Sequence, residues 1–267
     1  MPEQQWTAAD TEQVKCCLCN EWGEAKYRLG PFAVVQCPTC SLVFVSPRLK
    51  PEALQRFYDQ PSYFEDGGVY GGRAGGLNPA MALQRIWTKG RLAAVGRIRP
   101  APGSLLEIGS AYGLFLEAAL RNGYRVSGVE LSAAGAEQST KRGLSVFNGQ
   151  LVDAPDGEKA DVICFWDTLE HVPNPLEFLT EVRRRLADDG AFALSVPYVS
   201  SLPAKALGKR WWTLKPEQHI WHYTPATLQT LAARAGLVVT EVIMNPASAA
   251  NLTRLDSLVA IGRALPV

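Results

Sequence analysis

LLEIGSAYGLFLEAAL, residues 105–120, decides how the chain is read. Its first four residues have the length and apolar bias of a buried strand. Gly109, Ser110, Ala111 and Gly113 then crowd small side chains into a tight turn, and helical spacing begins at Leu114. Small residues let a backbone come close to a ligand, and the free amides at a helix start attract negative or polar groups. A dinucleotide site requires GxGxxG, but the matching positions here are Gly109, Ala111 and Leu114. The third glycine is missing and GxxxxGK is absent, so NAD, FAD and a phosphate loop are all disfavoured.

Outward from this stretch, strand and helix signals alternate, which predicts an α/β fold with a doubly wound, mostly parallel sheet. Strands are expected at 105–108, 124–129, 144–147, 161–166, 191–196 and 237–244. Helices are expected at 114–122, 133–142 with Ser132 as cap, 175–187 and from Pro225 to Gly236. Residues 251–265 fit helix or strand equally. Between 198 and 223 no period is clear, and Trp211, Trp212, Trp221 and Tyr223 mark an excursion over the carboxyl edge of the sheet. Upstream, 51–58 reads as a helix opened by Pro51, and 81–98 has helical spacing. Residues 66–76, DGGVYGGRAGG, read as a hinge or lid, with Tyr58, Tyr63 and Phe64 beside it.

Five of six cysteines fall within the first 40 residues. Cys16 and Cys19 enclose two residues, Cys37 and Cys40 enclose two more, and 20–36 separates the pairs, which is the spacing of a four-thiolate zinc site. Four closed ligands leave no position for water, so the expected ion is structural. Cys17 is read as a bystander and Cys164, inside DVICFW, as core. The expected organisation is a zinc ribbon over 1–50, a helical linker with the glycine-rich lid over 51–100, and the α/β domain over 101–267.

With these motifs in view, the chain resembles the class I S-adenosylmethionine (SAM) methyltransferases. LLEIGSAYG is similar to their first motif, with Ala111 in place of the middle glycine. VSGVELS puts Glu130 at the end of the second strand, where the family's acidic residue grips both ribose hydroxyls; two acceptor oxygens suit a vicinal diol. NGQLVDAP resembles the adenine-lining segment, with Gln150 where the family carries Asp. FWDTLEHVPNP resembles the fourth motif, and EQHIWHYTPATLQTLAARAGL the region before strand six. CCLC…CPTCSLVFVSP…FY is similar to the zinc-binding leader of some small-molecule members. The resemblance implies cofactor contacts from Glu107, Gly109, Ser110, Ala111, Tyr112 and Gly113, from Glu130 and Leu131, from Gln150 and Leu151, and from Trp166 and Asp167. It also implies SAM and Zn2+ as the bound groups.

Methyl transfer is an in-line displacement, so the protein must align two partners and, for a hydroxyl acceptor, take up a proton. The chain has only three histidines, His171, His219 and His222, all in the two blocks expected to border the pocket. With ordinary pKa values near 6.5 they are the candidate bases, His219 and His222 ahead of His171; a structural hydrogen-bonding role is the alternative for each. The favoured reading is methyl transfer to a hydroxyl of a small molecule, a sugar or a secondary metabolite. Nitrogen and carbon acceptors remain open. The alternatives are an RNA methyltransferase guided by the ribbon and a SAM-binding assembly protein without catalysis.

Composition narrows the partners. Twenty-seven basic residues against 26 acidic ones leave a net charge of +1, and residues 1–60 carry six basic against seven acidic side chains, so no field draws in a polyanion. No nucleic-acid partner is expected. The start MPEQQWTAAD lacks the pattern of a signal peptide, and no apolar run approaches 18 residues, so a cytoplasmic protein with no membrane partner is expected.

Overall fold

The structure, a computed structural model, describes residues 6–58, 79–244 and 255–265. The glycine-rich stretch 66–76, Tyr63 and Phe64 lie outside the described residues. The N-terminal part forms β1 (Thr11–Glu12), β2 (Glu24–Leu29), β3 (Phe32–Gln36), β4 (Val43–Val45) and β5 (Arg48–Leu49), followed by helices α1 (Pro51–Tyr58) and α2 (Pro79–Ile98). The alternating part follows as β6 (Ser104–Ile108), α3 (Leu114–Arg121), β7 (Arg125–Glu130), α4 (Ala133–Lys141), β8 (Val146–Asn148), β9 (Ala160–Trp166), α5 (Pro175–Arg185) and β10 (Leu186–Pro197). The chain continues through α6 (Leu202–Leu207), β11 (Trp221–His222), α7 (Pro225–Arg234), β12 (Leu237–Ile243) and β13 (Ser257–Ala264).

Seven strands make one sheet in the order β12-β13-β10-β9-β6-β7-β8. The run from β10 to β8 is parallel, and β13 lies antiparallel between β10 and β12. Strand alternation shares its side chains between two cores. From β9, Ile163 and Phe165 enter one core, while Val162, Cys164 and Trp166 enter the other. Burial on both faces is why these strands read as continuous apolar runs. The fold is therefore the α/β, Rossmann-like one expected.

Most element ends shift by a few residues from expectation, and one shift has a clear cause. The fifth helix ends at Arg185 instead of 187, because Leu186 already pairs with Ala160 in parallel register and is fully buried. A bulge between Leu186 and Ala191 absorbs Asp188, Asp189 and Gly190. Arg185 then closes the helix by donating to the carbonyls of Ala154 and Pro155. The tail resolves as strand β13.

A second sheet has the order β11-β4-β3-β2. Its fourth strand, Trp221–His222, comes from the excursion after β10, so the cysteine-bearing segment and the C-terminal half share one sheet. Trp221 pairs with Phe44 and His222 with Val43. Arg48 Nη1 donates to Pro173 O at 2.9 Å and Trp221 Nε1 to Val172 O at 2.8 Å, which ties both to the segment after β9. Phe44, Val45, Phe165 and Phe192 belong to one continuous core.

Candidate functional site

The turn after β6 sits at the carboxyl end of the parallel strands, where open α/β sheets bind ligands. Gly109, Ala111 and Gly113 all adopt left-handed backbone, with φ of 73°, 47° and 73°. At Gly109 a Cβ would meet Thr168 Oγ1 at 2.6 Å, so only glycine fits. Ala111 is held in its unusual conformation from both ends. Its N–H donates to Glu130 Oε2 at 2.7 Å, and its carbonyl accepts from Ser139 Oγ at 3.0 Å. Those bonds explain how alanine stands where the middle glycine was expected. Ser110 is buried, and Tyr112 half-buried.

Glu130 ends β7 and is buried, its other oxygen accepting from Ser132 N at 2.8 Å. Burial pushes its carboxyl above the usual range, against the three backbone amides around it. Each oxygen retains a lone pair, so the carboxylate can still accept from a diol. Asn148 fixes the adjoining backbone by donating to the carbonyls of Glu130 and Leu131. Leu131 and Gln150 lie exposed at the rim, and Leu151 is buried beneath it. Glu107, fully desolvated on β6, is pushed well above the carboxylate range by burial and by Glu130, with Arg91 opposing.

Trp166 and Asp167 follow at the end of β9. Asp167 has φ of 51°, and its carboxylate receives Arg91 Nη2 at 2.9 Å and Ser195 Oγ at 3.0 Å. The Arg91 guanidinium lies 4.9 Å from the centre of the Trp166 ring. Arg91 and Ser195 were not among the residues expected here. A signal existed: Arg91 falls on the apolar stripe of Leu83, Trp87, Val95 and Ile98, where an unpaired charge is unaffordable.

His171 and His219 face each other, ring centres 4.7 Å apart and planes at 84°. The His219 ring nitrogen Nδ1 donates to Thr213 O at 2.6 Å, which places a proton on Nδ1. His171 Nδ1 is 3.1 Å from the Tyr58 hydroxyl. Burial pushes His171 well below the usual histidine value, with His219 and Lys215 adding to the effect. The imidazole is therefore neutral at physiological pH. A carboxylate oxygen of Glu170 lies within 4.8 Å of both imidazoles, while the Lys215 charge acting on His171 disfavours a cation among them. His222 is not part of that facing pair, although the His219 charge still acts on it. It is buried in β11 against Trp211, and neither ring nitrogen has a hydrogen-bond partner among the described residues.

The four cysteine sulfurs of Cys16, Cys19, Cys37 and Cys40 lie within 4.8 Å of one another, with Cys16 and Cys40 at 3.5 Å. Zinc–sulfur bonds of about 2.3 Å in a tetrahedron set sulfur separations of roughly 3.8 Å, so the donor set fits a zinc ion. The two turns are duplicates. Cys16 N donates to Glu21 O and Cys37 N to Leu42 O, while Asn20 and Ser41, directly after the second cysteines, take left-handed φ of 56° and 62°. Cys17 is half-buried against the same core, outside the cluster. No helix among the described residues is long and apolar enough to cross a membrane.

Comparison with known proteins matches this geometry to a family. The profile of the methyltransferase domain matches residues 81–242. A ubiquinone biosynthesis O-methyltransferase of Actinobacillus pleuropneumoniae serotype 5b (strain L20) is 31% identical over 103 residues, 34% of this chain; the chain spans 44% of that relative's length. The 1,6-didemethyltoxoflavin-N1-methyltransferase of Burkholderia thailandensis, solved with bound 1,6-didemethyltoxoflavin and S-adenosylhomocysteine, superposes with a TM-score of 0.61 at 17% identity, covering 91% of this chain and 99% of its own. Magnesium protoporphyrin IX methyltransferase of Synechocystis PCC 6803, with bound S-adenosylhomocysteine, gives 0.60 at 14% identity, covering 80% and 100%. With more than half of its length in that domain and the sheet order and glycine turn described above, the chain belongs to the class I SAM-dependent methyltransferases.

Proposed function

We propose that the protein transfers a methyl group from SAM to a hydroxyl of a small molecule. The observation that carries this reading is the facing pair His171 and His219, one imidazole neutral by desolvation and the other donating from Nδ1 to the Thr213 carbonyl. When bound, SAM supplies an electrophilic methyl carbon on a sulfonium. The chain's own residues do the rest. The turn 109–113 offers its amides and close backbone approach, Glu130 accepts from the ribose diol, Leu131, Gln150 and Leu151 border the base, and Glu107, Trp166 and Asp167 shape the amino-acid end. His219 Nε2 accepts the hydroxyl proton as the oxygen–carbon bond forms and the sulfur–carbon bond breaks, with the neutral His171 ring packed against it.

In this reading the four thiolates hold one structural zinc ion. The ion fixes the sheet that also contains Trp221 and His222, and so supports the segment carrying His219 without touching the chemistry. The near-zero net charge supports a neutral or weakly charged small substrate over a polyanion. The test is S-adenosylhomocysteine production over a panel of hydroxylated sugars and phenols. The wild-type chain should turn over at least one class of hydroxyl acceptor, and His219→Ala should slow that turnover at least 100-fold with SAM affinity retained. Full turnover in both His219→Ala and His171→Ala, or transfer confined to nitrogen acceptors, overturns the hydroxyl reading.

A further inference from the structure

Asp256 stands directly before β13 and is buried. Its Oδ2 accepts two side-chain bonds from the excursion after β10, from Trp211 Nε1 at 2.8 Å and from Thr213 Oγ1 at 2.6 Å. Its backbone carbonyl accepts Tyr198 N at 2.7 Å, where the excursion leaves the sheet. Thr213 passes the constraint on, because its own carbonyl receives His219 Nδ1 at 2.6 Å. Between the end of the 3-10 turn at Arg210 and the strand at Trp221, no helix or strand holds the backbone. At its far end Ile220 is held by its N–H on Glu170 O and its carbonyl on Val45 N, and within the segment the backbone is positioned by the bond from Leu214 N to Trp211 O, the bonds around Lys215, and this carboxylate. Bonds to an ionised acceptor are the stronger kind, and two from residues 211 and 213 fix both ends of the short turn.

We propose that Asp256 and Thr213 are positioning residues for His219, holding it in the Nδ1–H tautomer so that Nε2 faces the acceptor. This rests on His219 as the proton acceptor. A carbonyl can only accept, so its placement selects which ring nitrogen carries hydrogen. Loss of the anchor frees the Thr213 carbonyl, admits the opposite tautomer, and turns the lone pair away from the substrate. The sheet's antiparallel strand thereby sets the protonation geometry of a residue on an irregular segment.

The experiment uses the full chain labelled with 15N, with long-range proton–nitrogen spectra of the three imidazoles assigned through His219→Asn and His222→Phe. In the wild type the His219 signals should report a single Nδ1–H tautomer. Thr213→Val, which keeps the branched shape but loses the hydroxyl, and Asp256→Ala should both give a tautomer mixture, and Thr213→Ser should restore the single form. Turnover should fall at least tenfold in Thr213→Val while the SAM dissociation constant stays within twofold. An unchanged His219 tautomer in Thr213→Val overturns the proposal, as does a loss of SAM affinity parallel to the loss of turnover, which marks a merely structural role. A tautomer shift with turnover unchanged supports the positioning and instead removes His219 from proton transfer.

Discussion

Arg91 Nη2 lies 2.9 Å from Asp167 Oδ2 and 3.0 Å from Ser195 Oγ, so one guanidinium joins α2 to the ends of β9 and β10. The Arg91 side chain is 9% exposed and that of Asp167 31%, which leaves the pair only partly screened. Removing one partner of a buried pair strands the other.

Arg91→Met is therefore expected to lower stability by about 2 kcal/mol, less than a fully buried pair because water reaches Asp167. Urea denaturation measures it. A double-mutant cycle with Asp167→Asn should return a coupling of the same sign, and additive losses would show that the contact carries no energy of its own.

Glu107 gives a pH dependence. Burial and Glu130 push its folded-state pKa up from about 4.5, so between the two values the folded protein binds more protons than the unfolded chain. Stability then falls as pH rises above the ordinary carboxylate range. Glu107→Gln cannot ionise and should gain stability over wild type at about pH 8 relative to about pH 5. Glu130, pushed the same way, stays in place, so the slope is reduced and not abolished. Equal stability differences at the two pH values would mean that Glu107 does not titrate in this range.

Two glycines with similar backbone separate strain from collision. Gly109 and Gly143 have φ of 73° and 79°, but a Cβ meets Thr168 Oγ1 at 2.6 Å at the first and no atom within 4 Å at the second. Each alanine variant should lose about 1 kcal/mol to left-handed strain. Gly109→Ala must also displace Thr168, which bonds the carbonyls of Ile108 and Trp166. SAM affinity by calorimetry should drop at least tenfold in Gly109→Ala alone.

What the sequence made legible follows from range. The β6 strand, its turn and α3 are contiguous, and the two CxxC turns are each five residues long, so local spacing exposes them. The Arg91–Asp167 and Asp256–Thr213 bonds join residues 76 and 43 positions apart, and no local pattern encodes them. His219 and His222 were equivalent in EQHIWHY; what separates them is the pairing of His222 with Val43, a contact that exists only once the N-terminal sheet has formed.

Cys37→Ser tests the metal and its reach. The variant should lose one zinc per chain by elemental analysis and about 4 kcal/mol of stability. Because Val45 N donates to Ile220 O and β4 pairs with β11, the loss should also disturb the segment bearing His219. Turnover should then decline more than SAM affinity. Zinc content equal to wild type would show that the four sulfurs are not its ligands.

The three histidines can be ranked by the same logic. His222 is fully buried, its pKa pushed down to about 3, with desolvation first among the causes. It therefore stays neutral throughout the working range, and His222→Phe should keep turnover within about threefold of wild type. His171 is also held well below the ordinary value, with burial and His219 as the causes. A base depressed in this way remains ready as pH falls through 6.5, where an unperturbed imidazole would already be half protonated. The turnover that remains in His219→Ala, where His171 is the imidazole left to take up the proton, should accordingly stay flat with pH through that value. A limb centred near 6.5 in His219→Ala would mean that the group then accepting the proton is solvated and is not His171.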